Sequence, residues 1–204
     1  MHIDKMCNTA SKQLNALVRL KDYLGFKEKK VLVENFILSN FNYCPLIWSI
    51  SSRKSLNKIE SLQKRALRFV LNDYYSSYEE LLTKIGKITI EVRNCRILCV
   101  EIFKTLNKLT PEFMNAIFKS RIIDRPVREK YKLNLEIINS NTVRYGTKSM
   151  KIFGPKVWNS LPYHIKSSEN LSSFKRLIKF WNGDYCSCDI CFLLKLLVGK
   201  LLIE

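Results

Sequence analysis

Between residues 52 and 71, Leu56, Ile59, Leu62, Ala66, Phe69 and Val70 recur at steps of three and four, while Lys54, Lys58, Lys64, Arg65 and Arg68 fall around the other side. Only a helix sorts such residues onto two opposite faces, since a strand's period of two would scatter them over both sides of a sheet. Ser51 or Ser52 is placed to cap it. Glu60 is the one acidic residue expected to interrupt the positive stripe. The same spacing returns over 91–109, where Val92, Cys95, Leu98, Cys99, Ile102, Phe103, Leu106 and Leu109 leave Arg93, Arg96, Glu101, Lys104 and Lys108 off the apolar stripe. With only six glycines in the chain, there is little to break such elements.

Other helices follow from weaker patterns. Ile3, Met6, Cys7, Leu14, Leu17, Val18, Leu20 and Leu24 predict a helix over 3–24, ended by Gly25. A second is predicted from Lys27 to about Asn40, with Val31, Leu32, Asn35, Phe36 and Leu38 inward and Lys27, Glu28, Lys30 and Glu34 toward solvent. Pro45 disfavours helix at Cys44 but suits a first turn, so Leu46, Ile47, Trp48 and Ile50 continue as a short buried helix. Residues 78–85 read as a short helix stopped by Gly86, and Ile88-Thr89-Ile90 is open between strand and helix. Thr110-Pro111-Glu112 reads as an N-cap, a first-turn proline and a first-turn acid opening a helix through Phe118. A helix is expected between Pro155 and Pro162, and Ser172-Ser173 are expected to cap a last one bearing Phe174, Leu177, Ile178 and Trp181. From Ser120 to Ser149 no helical period survives, and this is the expected loop or minor β segment. The fold class is therefore mainly α, an irregular helical bundle with a small loop-rich or β segment around 120–150. The organisation expected is a helical domain over 1–118, a basic extension over 119–185, and a cysteine cluster with an apolar tail over 186–204.

Charge narrows the function. Lys and Arg number 35 against 18 Asp and Glu, a formal net charge of +17, while 47% hydrophobic residues suffice for a core. Such an excess repels itself unless a polyanion gathers near it, so the expected partner is RNA, DNA or their hybrid. The cations are spread along the chain and interleaved with aromatics, and no apolar run reaches the roughly 20 residues of a membrane span. The tail Phe192 to Ile203 is too short and too broken by lysine, so integral membrane association is not expected. Lys54, Lys58, Lys64, Arg65 and Arg68 are the first candidates for phosphate contact. Arg125, Arg128 and Lys130 in the 120–149 segment are the second, with Tyr131 and Tyr145 as rings able to stack on bases. No leader is evident at the start, which points to an intracellular place, nucleus or cytoplasm.

Catalytic signals are missing. Nucleotidyl transfer needs clustered carboxylates to hold divalent ions, and Asp4, Asp22, Asp73, Asp124, Asp184 and Asp189 are scattered. Glu79-Glu80 sit adjacent on a helix, where side chains diverge, and read as a solvated face. A phosphate-cradling glycine loop is absent, and the two histidines, His2 and His164, offer no triad. Cys186, Cys188 and Cys191 are close enough to share a zinc ion, but tetrahedral zinc wants a fourth ligand and no Cys or His follows them. Free thiols, and no cofactor, are the expectation. Seven cysteines, with Cys44, Cys95 and Cys99 inside apolar patterns, argue against a disulfide framework.

Three blocks carry a resemblance: Phe41-Asn42-Tyr43-Cys44-Pro45-Leu46-Ile47-Trp48, the helix from Leu56 to Arg68, and Gly154-Pro155-Lys156-Val157-Trp158-Asn159-Ser160-Leu161-Pro162. In this order, with Arg125-Pro126-Val127-Arg128 between the last two, they resemble the C-terminal part of reverse transcriptases from non-LTR retrotransposons of the jockey kind. The likeness extends over nearly the whole chain to Cys191. It implies a thumb up to about Trp48 and a helical extension after it, closing over a template-primer duplex. The palm that carries the paired catalytic aspartates would precede these blocks, so the resemblance implies a fragment without enzyme activity of its own. A truncated copy of such an element, read through into neighbouring sequence after Cys191, would give this arrangement. The rival expectation is an interaction or structural remnant that self-associates through faces left by the missing palm.

Overall fold

The computed structural model describes residues 2–49, 51–121, 133–138 and 149–183. It is mainly α-helical, and among the described residues the only β feature is an isolated antiparallel bridge between Ser120 and Leu135. The chain divides into two compact units, one through Arg93 and one from Asn94, so the division falls in the first turn of the helix expected over 91–109 rather than after Phe118.

In the first unit, α1 (His2–Arg19) and α4 (Arg53–Leu71) pack against each other. α1 buries Ile3, Met6, Ala10 and Leu14, and α4 buries Ile59, Leu62, Gln63, Ala66, Leu67, Phe69 and Val70. α1 ends five residues before the expected end at Leu24. Its buried stripe is exhausted by Leu17; Leu20 stands half out of the protein, and bonds from Leu20, Lys21 and Tyr23 back three residues tighten the chain into turns.

The helix expected over 27–40 is three helical types in succession: α2 (Phe26–Leu32), a π-helical turn (Val33–Ile37) and a 3-10 turn (Leu38–Asn42). The buried residues are Val33, Ile37 and Phe41, whereas Val31 and Phe36 of the expected inward face stand half in solvent. From Val33 to Ile37 a step of four overshoots the α turn by about 40°, and the wider π turn keeps these two side chains in line on the core. The disturbed ladder is held by side chains: Asn35 Nδ2 donates to the Val31 carbonyl, Ser39 to that of Asn35, and Asn40 Nδ2 to that of Phe36 and to Gln13 Oε1 on α1. Lys29, absent from the sequence expectations, is buried. Its Nζ lies 3.0 Å from Asn72 Oδ1 and 5.4 Å from the Phe69 ring centroid.

Pro45 opens α3 (Pro45–Trp48) as expected, with Cys44 before it at φ 45°. Cys44 is exposed rather than packed as a small hydrophobe. Trp48 is buried and its Nε1 donates to the Tyr43 carbonyl at 3.1 Å, which ties the block together. α5 (Tyr78–Ile85) carries a capping box between Ser77 and Glu80 and stops at Gly86, whose φ of 71° a side chain would strain. Glu79 and Glu80 are exposed, as expected of a solvated face. The ambiguous Ile88-Thr89-Ile90 resolves as a helix start: Thr89 Oγ1 accepts the Val92 N–H and α6 runs Ile90–Leu106.

In the second unit the helix expected through Phe118 is only a 3-10 turn, Glu112–Met114, with Pro111 outside it and Thr110 bonded sideways to Asn115. A single turn closes too few bonds to propagate. α7 (Met150–Ser160) starts before Pro155 and runs through it, correcting the expectation of a helix confined between the two prolines. Gly154 lets it approach closely, since a Cβ there would stand 2.8 Å from the Phe118 ring. Trp158 and Asn159 then clasp the segment 133–136. Trp158 Nε1 donates to the Leu133 carbonyl, and the Asn159 amide pairs with both the N–H and the carbonyl of Leu135. α8 (Tyr163–Lys166) places Lys166 in the interior, donating to Asn134 Oδ1 at 2.8 Å, and burial pushes its pKa down to about 8. α9 (Leu171–Ile178) is capped by Asn170, not by Ser172-Ser173, and stacks Phe174 between Phe103 and Trp158. The third block of the sequence resemblance thus has a structural duty in this unit.

Candidate nucleic-acid interface

Every cation singled out on α4 lies on the half of the helix away from the core. At about 100° per residue, Lys64, Arg68, Lys54, Arg65 and Lys58 occupy an arc of about 120°. Ser52 fixes the start of this helix by accepting the Ser55 N–H, and Asn72 at φ 51° ends it. Glu60 does not interrupt the arc. It falls on the far edge beside Glu91 and Arg53, and burial together with the Glu91 charge raises its pKa. Arg53 bonds Glu91 there at 3.2 Å, so this acidic pair and its arginine form a separate, half-buried group.

Lys54, Lys58 and Arg65 line an open groove of about 470 Å³ whose other wall is α1, with Asp4, Cys7, Asn8 and Ser11. Asn57 and Ser61 lie between the cations. Lys58 bonds Asp4, while Arg65 donates to Ser11 Oγ at 3.3 Å and Asn15 Oδ1 at 3.0 Å. These pairings advance in the same direction along both helices, so α1 and α4 run parallel and their N-terminal ends lie together. Their dipoles then add a positive potential at the Lys54 end of the groove. The Lys58 hydrogen bond holds the Asp4 carboxyl below its ordinary range and raises the lysine in turn. Burial raises the Cys7 thiol, which keeps it neutral beside the groove.

Among the described residues, Lys58 is the only one of the five α4 cations with a carboxylate partner. Lys54 and Arg65 are exposed. Lys64 and Arg68 are half-buried on the outer flank, where the Arg68 Nε has no hydrogen-bond partner among the described residues. Arg125, Arg128 and Lys130 lie outside the described residues, as do Tyr131, Tyr145 and the cysteines Cys186, Cys188 and Cys191. Among the described residues no group of three His, Cys, Asp or Glu is placed to hold a metal ion, and no helix is long and apolar enough to cross a membrane.

No protein-family model, curated protein or solved structure matches the chain. Ammonium and guanidinium groups beside hydroxyls and amides can donate to phosphate oxygens, and contacts of that kind carry no sequence information. The polar wall on α1 was missed in the sequence, although Asp4, Asn8, Ser11 and Asn15 recur there at helical spacing opposite the apolar stripe.

Proposed function

We propose that this chain is a non-catalytic nucleic-acid-binding module that grips a phosphate backbone along α4. In this reading it corresponds to the thumb and post-thumb region of a non-LTR retrotransposon reverse transcriptase, holding a template-primer duplex for chemistry performed elsewhere. The observation that supports it is the cationic arc on α4, four of whose five members have no carboxylate partner among the described residues. A merely soluble helix face more often pairs its lysines with acids one turn away. The test is fluorescence-anisotropy titration of the full chain with an RNA/DNA hybrid, against a variant with Lys54, Lys58, Lys64, Arg65 and Arg68 all changed to Ala. The reading requires affinity to fall at least about tenfold, the discrimination typical of losing several phosphate contacts at moderate salt, with circular dichroism unchanged. Equal affinity of the two proteins would refute it.

A second reading, a protein-interaction remnant, draws on exposed apolar side chains around α2 and α3: Phe26, Val31, Phe36, Tyr43 and Ile47 each show half or more of their surface. Sedimentation that reports a concentration-dependent dimer unaffected by nucleic acid would favour it.

A further inference from the structure

Beyond the C-terminal end of α4, the chain presents two tyrosines on a short loop built to hold its shape. Asn72 and Asp73 both donate their N–H groups to the Arg68 carbonyl, which fastens the loop to the last turn of the helix. Asp73 Oδ1 accepts the N–H groups of Tyr75 and Ser76, and Oδ2 accepts the Ser76 hydroxyl and the Lys84 ammonium. These bonds hold the Asp73 carboxyl far below the usual carboxylate range. Lys84 neutralises the only acid in the loop, and the Ser77 capping box anchors its far end. On this fixed frame Tyr75 is 101% exposed and Tyr74 57% exposed, and among the described residues neither hydroxyl is hydrogen-bonded.

Both rings stay in water although the loop beneath them is held in shape. The other residues of the loop, Asn72, Asp73, Ser76 and Ser77, are polar, so along the chain the rings stand on a polar rather than an apolar frame. The loop departs from the C-terminal end of α4, whose cations from Lys54 to Arg68 span about 20 Å of helix. A polyanion that runs the length of the arc reaches the end of the helix from which this loop departs. Flat amphipathic surfaces next to phosphate-binding cations match one ligand chemistry well: unpaired bases, which every aromatic face accepts without regard to sequence.

We infer that Tyr74 and Tyr75 form a stacking platform for unpaired bases at the end of the α4 cationic face, so that the ligand includes a single-stranded segment. The inference rests on the proposed phosphate grip and adds to it a preference for strand over duplex. In this arrangement α4 supplies affinity through charge, and the loop selects for bases that are free to stack.

The test compares the full-length protein with a Tyr74→Ala, Tyr75→Ala double variant and a Tyr74→Phe, Tyr75→Phe control. The probes are a fluorescein-labelled oligodeoxythymidylate and a blunt DNA duplex of equal length. Each stacked base lost costs about fivefold to a hundredfold in affinity. The alanine variant is therefore expected to bind the single strand at least about tenfold more weakly, with duplex affinity and the salt dependence unchanged. The phenylalanine control, which keeps the rings, should bind as the parent does. Single-strand affinity equal in all three proteins, or equal losses on strand and duplex, overturns the platform. If the parent binds both probes and only the fivefold α4 variant loses them, the platform fails while the phosphate grip stands. If the parent binds neither probe, both fail.

Discussion

α4 and α6 look alike as sequences and differ as parts of the protein. Both carry an apolar stripe with arginines and lysines off it, yet α4 exposes Lys54, Lys58 and Arg65 whereas no residue of α6 is exposed. The arginines of α6 are tied down within their own units. Arg93 donates to the Phe41 carbonyl and Asn42 Oδ1, both at 2.8 Å, and Arg96 donates to the Trp181 carbonyl at 2.8 Å and Asn182 Oδ1 at 2.9 Å. Burial lowers both guanidinium pKa values, although they remain charged. A cation beside an apolar stripe thus has two fates. Where another chain segment brings backbone carbonyls within reach it turns inward as a brace, and where only the polar side chains of α1 lie beside it, as for Arg65, it stays in the open groove.

Substitutions on the two helices separate their roles. The largest effect is expected where the two helices agree. Ile59→Ala and Ile102→Ala, each removing a fully buried side chain, should cost about 2–5 kcal/mol in urea unfolding. A much smaller cost for one of them would mean that its stripe is not core. Arg96→Ala comes next, with a loss of about 1.5–3 kcal/mol for its charge-assisted bonds and no change in affinity for nucleic acid. Arg65→Ala should do the reverse, shifting unfolding by no more than about 0.5 kcal/mol while weakening binding measurably by anisotropy.

A pH dependence adds a third inward-turned cation to the comparison. Burial lowers the Lys166 pKa from 10.5 to about 8, so the folded protein loses this proton before the unfolded chain does. Below about pH 8 both states are protonated and the burial penalty is present in full. Between about pH 8 and 10.5 the unfolded chain holds the extra proton, so stability rises with pH; above that the penalty is gone. Relative to Lys166→Met, the parent protein should therefore gain stability across that window in chemical denaturation. A flat difference between the two would place the ammonium in a solvated site.

How much of this is legible in the sequence depends on what each residue answers to. α4 was readable to within a residue because Ser52, the apolar spacing and the residue after Leu71 all act locally. The same holds for α5, with Ser77 before it and Gly86 after it. The π and 3-10 turns after Leu32 were not readable, because they arise from fitting Val33, Ile37 and Phe41 against a core assembled from distant segments. α7 escaped for a related reason. A proline ordinarily ends a helix, and Pro155 is tolerated where tertiary packing holds Gly154 against Phe118. In the candidate interface, the five cations of α4 were visible as a stripe. That Glu60 turns toward Glu91, and that α1 supplies the opposite polar wall, required knowing which helices meet.

In the proposed function the α4 face, and not the charge of the chain as a whole, carries phosphate binding. The most direct measurement is the slope of log K against log salt for an RNA/DNA hybrid, in the parent and in the fivefold alanine variant of α4. Each phosphate contact contributes about 0.7–0.9 to the slope, so removal of the five cations is predicted to flatten it by about 3 or more. A variant whose slope equals the parent's would contradict the account, since the counterions would then be released from another surface.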